Sequence, residues 1–267
     1  MKLEVIPAIP ATSAPEPLGT PPLLFIHGAW HNAGCWQTFS DYCQSQGHTC
    51  HAVSLRGHGG SDNDRSLKLT RLDGYVADVG RAVAQLVAAY GRKPILIGHS
   101  MGGLVVQKYL EQDPDIPHGV LLASSPVQGV WRVALSLTMR HPLLSLKANL
   151  TWSLWPYVSS PELAREAFFS EDISATDLAT RFAALQDEAY LAFLDMLIFR
   201  LPKPARVKTP ILVLGGENDT IFSVPEVEAT ARAYGTQAKI FKGMAHNMMQ
   251  EKDWRDVADY ILAEISS

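Results

Sequence analysis

An α/β fold is what this chain predicts: a central, mostly parallel sheet flanked by helices, with a helical piece inserted into it. Three observations carry that reading. Short apolar runs alternate with longer helical patterns, which is the rhythm of strand–helix–strand crossovers. Several of the runs, Leu23–Ile26 above all, are apolar throughout rather than at every second residue, as strands buried on both faces are. One stretch, 126–204, contains no such run and reads as helices alone. A length of 267 residues suits one large domain with an insertion, and an apolar fraction of 47% suffices for its core.

The elements follow in order. Leu3–Ile6 reads as a short edge strand and the proline-rich segment 9–22 as a loop. Leu23–Ile26, bounded by Pro21-Pro22 and Gly28, is the first core strand, and Thr49–Leu55 is the next. From 72 to 90, Leu72, Tyr75, Val76, Val79, Val83 and Leu86 recur at spacings of three and four. Arg71, Asp73, Asp78, Arg81 and Gln85 face elsewhere, which predicts an amphipathic helix. Pro94–Ile97 is a strand that runs into a helical segment from Gly103, and Gly119–Ala123 is another strand. Helices are expected around 130–140, 142–150, 161–168, 175–186 and 190–201. Ile211–Leu214 and Ala238–Phe241 complete the sheet, and Trp254, Val257, Ala258, Ile261, Leu262 and Ile265 mark the last helix. The expected division is a core of 1–125 and 205–267 with a helical cap, or lid, at 126–204.

Composition removes several function classes. A net charge of −4 offers no basic footprint for nucleic acid. No window approaches 18 consecutive apolar residues, so no membrane span is expected, and the N-terminus lacks a signal-peptide layout. Cys35, Cys43 and Cys50 are odd in number, which fits reduced thiols and a cytoplasmic protein, although a Cys43–Cys50 bridge stays open. Oligomeric state is not readable.

The chemistry concentrates in four loops. Gly98-His99-Ser100-Met101-Gly102 follows an apolar strand and precedes a helical run. Small residues on either side permit the sharp turn that lifts a serine hydroxyl into the open. The hydroxyl needs a base, an acid to orient that base, and donors for an oxyanion. His246 follows the last strand and comes after the acid candidates in the chain. Asp219 is preferred as the acid, with Glu217 as its rival two residues earlier. The backbone N–H of Met101 and that of Ala29, in His27-Gly28-Ala29-Trp30, are the expected oxyanion donors. Gly28, Trp30 and His99 from the core, with Trp131, Trp152 and Trp155 from the insertion, are the expected substrate contacts. The insertion holds ten of the chain's 23 aromatic residues, which predicts an apolar inner face. The glycine-rich Arg56-Gly57-His58-Gly59-Gly60-Ser61 lacks phosphate-loop spacing and reads as a tight structural loop. His27 and His31 lack a third ligand, so no metal and no cofactor is expected.

Taken together, Leu24-Phe25-Ile26-His27-Gly28, Leu55-Arg56-Gly57-His58-Gly59-Gly60-Ser61, Gly98-His99-Ser100-Met101-Gly102-Gly103, Asn218-Asp219 and Ala245-His246 resemble the α/β-hydrolase superfamily. The resemblance runs from Leu23 to Leu262 and is greatest to lid-bearing serine carboxylesterases and lysophospholipase-like or monoglyceride-lipase-like members. His27-Gly28-Ala29-Trp30 is also similar to the corresponding stretch of plant methyl esterases and hydroxynitrile lyases. It implies a triad of Ser100, Asp219 and His246, a lid after the sixth strand, and hydrolysis of small-molecule esters. The aromatic insertion favours apolar acyl groups of short to medium length. Other reactions on the same scaffold stay open at this level: lysophospholipase or monoglyceride-lipase activity, C–C or cyanohydrin lysis, perhydrolysis and acyl transfer. So does a receptor without catalysis.

Overall fold

In the computed structural model, which describes residues 1–7 and 19–266, seven strands form one sheet. They are β1 (Val5–Ile6), β2 (Leu23–Ile26), β3 (Cys50–Val53), β4 (Ile95–His99), β5 (Gly119–Leu122), β6 (Ile211–Gly216) and β7 (Ala238–Phe241). Their spatial order is β1-β3-β2-β4-β5-β6-β7. Only β1 is antiparallel, pairing Val5 with Val53, and every other neighbouring pair is parallel. The loop expected over 9–22 lies mostly outside the described residues.

Successive strand side chains point to opposite faces, and both faces are covered. Leu24, Ile26, Leu96 and Leu121 pack with α2 (Leu72–Tyr90), α3 (Met101–Leu110) and α9 (Val224–Ala233). Leu23, Phe25, Ile95, Ile97 and Val120 pack with α1 (Gln37–Ser45) and α10 (Trp254–Ser266). One expectation for α2 needs correction. Asp78 does not face solvent but is fully buried. The Arg56 guanidinium grips it with two bonds of 2.7 and 2.8 Å, so its charge is matched inside the core.

After β2 the chain moves outward to β3, then returns to β4 on the other side of β2. Loops leaving β2 and β4 therefore diverge and open a crevice at the carboxyl edge of the sheet. The segment between β5 and β6 contributes α4 (Trp131–Arg140), α5 (Pro142–Thr151), α6 (Pro161–Phe168), α7 (Ala175–Ala183) and α8 (Tyr190–Leu194). It follows the fifth described strand rather than the sixth, because β1 alone is described ahead of β2. The helix expected over 190–201 relaxes into a π turn at Asp195–Phe199. There the Asp195 carboxylate accepts from Arg71 Nε at 2.7 Å and from the Leu72 N–H at 3.1 Å. This ties the insertion to the start of α2. The three cysteines are free, so Cys43 and Cys50 are not bridged. Among the described residues no helix is long and apolar enough to cross a membrane.

Candidate active site

Ser100 follows β4 and is the N-cap residue of α3, at φ +53° and ψ −119°. A non-glycine residue holds that conformation only where its surroundings enforce it. The enforcement is visible in the neighbouring glycines. A Cβ on Gly98 would meet the Gly102 carbonyl oxygen at 2.5 Å, and one on Gly102 would meet the His27 oxygen at 2.4 Å. Glycine at 98 and 102 thus lets three backbone segments touch, and the serine side chain is left at the apex.

His246 lies in the loop after β7. Its Nδ1–H donates to Asp219 Oδ2 at 2.8 Å, and its Nε2 accepts from Ser100 Oγ at 2.9 Å. The loop after β6 delivers Asp219, whose side chain is fully buried. Its other oxygen accepts the N–H groups of Ile221 and Phe222 at 2.7 and 3.0 Å. The carboxylate is thus fixed in orientation as well as position. Glu217 points away, is exposed, and accepts from the Gly243 N–H instead. Phe168 of α6 stacks over the His246 ring, and Phe222 meets it edge-on.

Ala29 and Met101 both line the cavity above Ser100. Among the described residues neither backbone N–H is engaged in a hydrogen bond. The adjacent Trp30 N–H is already taken by Glu188 Oε2 at 3.2 Å. Gly28 allows the loop to approach: a Cβ there would meet His99 Nδ1 at 2.7 Å and Ser100 Cβ at 2.9 Å.

Histidines below the site are held neutral. Burial pushes His27 down to about 3 and His31 down to about 4, and it drives His99 well below the ordinary imidazole range. Each is also committed. His27 donates to the Gly28 carbonyl and accepts the Leu55 N–H. His31 donates to the Ala29 carbonyl and accepts from Asn247. His99 donates to the His246 carbonyl at 3.0 Å. An imidazolium forming on His246 therefore has uncharged rings around it.

The cavity above Ser100 encloses about 640 Å³ with its mouth included. Its wall is almost wholly apolar. Val133 and Leu137 of α4 contribute, as do Tyr157, Phe168, Phe193 and Phe222, with Trp30 from the core. Trp30 is thus brought to the cavity, but several other expected contacts are not. Trp131 sits two positions out of phase with Val133 and is 44% exposed. Trp152 adopts the left-handed C-cap of α5 and stacks on Tyr190. Trp155 packs with Phe182 in a small core of the insertion itself. His99 lies beneath His246 rather than along the wall. Sequence periodicity marks neither the inward side of short helices nor which aromatic caps one.

Glu188 escaped the sequence reading. In Asp187-Glu188 it looks like a solvated acid, and nothing local marks it as buried. It is fully buried and reaches the cavity wall. Its carboxylate accepts from Tyr75 Oη at 2.6 Å and lies 3.3 Å from His58 Nε2. Burial alone would raise Glu188, but His58 and Tyr75 outweigh it and bring the carboxyl down to about 2. Burial likewise opposes a charge on His58, yet Glu188 holds it above its ordinary value. Gln186 completes the strap. Its N–H donates to the Trp30 carbonyl at 2.8 Å, and its side-chain oxygen accepts the Gly59 N–H at 2.8 Å. Trp30, at φ +63°, is thus held from both sides by the insertion. Glu188→Gln, which uncouples the His58 charge, is expected to lower the unfolding free energy in urea by about 1–3 kcal/mol. The exposed Glu217→Gln serves as an unchanged control.

A sequence model of the alpha/beta hydrolase family matches residues 23–260. A methyl jasmonate esterase of Vitis vinifera is 33% identical over 91 residues, 34% of this chain and 34% of that protein. A pimeloyl-[acyl-carrier protein] methyl ester esterase of Aliivibrio fischeri is 29% identical over 181 residues, 62% of this chain and 66% of its own. This chain spans about a third of the length of the curated plant esterases it matches. Among solved structures, a monoacylglycerol lipase of Paleococcus ferrophilus aligns with a TM-score of 0.68 at 20% identity, covering 99% of this chain and 98% of its own. An esterase of Rhodococcus aligns with a TM-score of 0.69 at 20% identity, covering 99% and 94%.

Proposed function

Since this chain belongs to the alpha/beta hydrolase family, we propose that it hydrolyses carboxylic esters through an acyl-enzyme on Ser100. One observation carries the reading: a single hydrogen-bonded line runs from Asp219 through His246 to Ser100, ending beneath an apolar cavity. In the proposed cycle His246 Nε2 takes the Ser100 proton as Oγ attacks the acyl carbon. The Ala29 and Met101 N–H groups receive the oxyanion. The C–O bond to the alcohol breaks, and His246 returns the proton to the departing oxygen. Water, deprotonated by the same nitrogen, then attacks the acyl carbon; the acyl–Oγ bond breaks, the acid leaves, and His246 returns the proton to Ser100 Oγ. Asp219 keeps the proton of His246 on Nδ1 and stabilises the imidazolium.

The insertion 126–204 acts as a cap whose inner side selects the acyl group. Val133, Leu137 and Phe193 offer no polar partner, and the Tyr157 hydroxyl is committed to Ser145 Oγ at 2.9 Å, which favours uncharged chains of short to medium length. The ester names of the curated relatives support the reaction class. The test is labelling of Ser100 by a fluorophosphonate, located by peptide mass, beside turnover of p-nitrophenyl esters of graded length. An unlabelled Ser100 and no turnover at any length would overturn the reading. Leu137→Trp, which fills the wall, is expected to lower kcat/KM for octanoate roughly tenfold or more relative to acetate.

A further inference from the structure

Nine of the twelve exposed large apolar side chains among the described residues belong to the segment 131–199. Six of them, Trp131, Leu135, Met139, Leu143, Leu146 and Leu150, recur every three or four residues along α4 and α5. That period keeps one side of each helix outward. His141 alone separates the two helices, and the spacing runs through it without a break. Met139, Leu143 and Leu150 are 70%, 78% and 74% exposed, and they recur in one series rather than as scattered single residues. The opposite side of α4, at Val133 and Leu137, is the cavity wall.

The charge pattern says what covers this side. No aspartate or glutamate occurs between Asp115 and Glu162, in a chain with 27 acidic residues. The stretch carries Arg132, Arg140 and Lys147 instead. Arg140 and His141 are paired with Glu166 at one edge. Arg132, over the Trp131 ring, and Lys147 remain as the charges of the two helices. Lys68 adds a third cation where its Nζ donates to the Thr151 carbonyl at the end of α5. A two-fold contact between copies of this chain would set these cations near their own images, with no acid in the stretch to meet them. Apolar side chains interleaved with unopposed cations match the interfacial layer of a lipid surface with anionic headgroups.

We propose that the outer side of α4 and α5 docks on an anionic lipid surface. The helix pair would lie in the headgroup layer, so that the wall of the cavity is also the part of the protein nearest the lipid. Apolar esters dissolved in that layer would then reach Ser100 by a short path. This last step rests on the ester-hydrolase reading, whereas the docking itself does not.

The test separates the two. Ser100→Ala protein is sedimented with vesicles of equal parts phosphatidylcholine and phosphatidylglycerol, and with phosphatidylcholine alone. Binding to the anionic vesicles is expected, to be weakened by added salt and to be much poorer on the neutral ones. Leu143→Gln/Leu146→Gln and Arg132→Glu/Lys147→Glu, each placed in the same background, should weaken it roughly tenfold or more. In the Ser100 background both pairs should leave turnover of a soluble acetate ester unchanged, which shows that they fold. Protein that stays in the supernatant with the anionic vesicles overturns the proposal. So does vesicle binding that neither pair alters, or a dimer in sedimentation velocity that Leu143→Gln/Leu146→Gln dissolves. Vesicle binding with no ester turnover by the wild type would support the docking and defeat the hydrolase reading.

Discussion

Ser100→Ala is expected to reduce turnover of p-nitrophenyl butyrate by about 10⁵–10⁶, with the fold intact. The magnitude follows from serine hydrolases whose nucleophile and base act as one unit, so that removing the nucleophile removes nearly all of their joint effect. Here that unit is geometrically complete, with 2.9 Å from Ser100 Oγ to His246 Nε2 and 2.8 Å from His246 Nδ1 to Asp219. The substitution deletes one oxygen at a site that is 8% exposed and adds no bulk, so stability should barely change. Burst kinetics and rate measurement check it together: the variant should show neither an acyl-enzyme burst nor steady turnover. A variant retaining a tenth of the wild-type rate would mean that another group carries the chemistry.

Stability should fall steeply in mild acid. His27 and His31 have folded values of about 3 and about 4, whereas an unfolded imidazole binds a proton near 6.5. Between those limits the unfolded chain holds more protons than the folded one, so stability falls as pH drops. The loss starts near 6.5 and runs on until the folded values are reached. At pH 5 each of these two histidines costs about 2 kcal/mol relative to pH 7 and above, about 4 kcal/mol together. His99, depressed by burial and by the neighbouring His246 and His31, adds to the same loss. His58 has the opposite sign, because Glu188 raises it. Its contribution is lost as pH rises through its raised value and is complete below about 6.5, so its gain on acidification ends there and the loss at lower pH runs on without it. Urea unfolding at pH 7 and pH 5 measures the difference. Equal stability at the two values, or imidazole resonances of His27 and His31 that titrate above pH 6, would contradict it.

These expectations differ in how far the sequence supplies them. All seven strands are legible; the central ones, such as Leu23–Ile26 and Gly119–Leu122, are plainest because they are buried on both faces and must be apolar throughout. The elbow at Ser100 was legible because only glycine fits beside it at 98 and 102. Loop length favours Asp219 over Glu217 as the acid, and what separates the two carboxylates lies in space. Asp219 is turned inward by two N–H groups, and Glu217 is turned out toward Gly243. Composition alone directs Trp131, Trp152 and Trp155 toward the substrate, whereas in the structure none of the three lines the cavity above Ser100, because their places on short helices turn them elsewhere.

By itself, then, the sequence determined the sheet, the turn that exposes Ser100, and the residue types of the four loops. Each of those depends on neighbours within a few positions, where steric fit and periodicity act directly. Tertiary structure alone decided what meets across long separations. Asp78 is buried because Arg56 neutralises it, and Glu188 is buried because His58, Tyr75 and Trp30 converge on it from three distant segments. A charge leaves water only where partners from elsewhere in the chain replace its solvation, and no local pattern records where those partners will be.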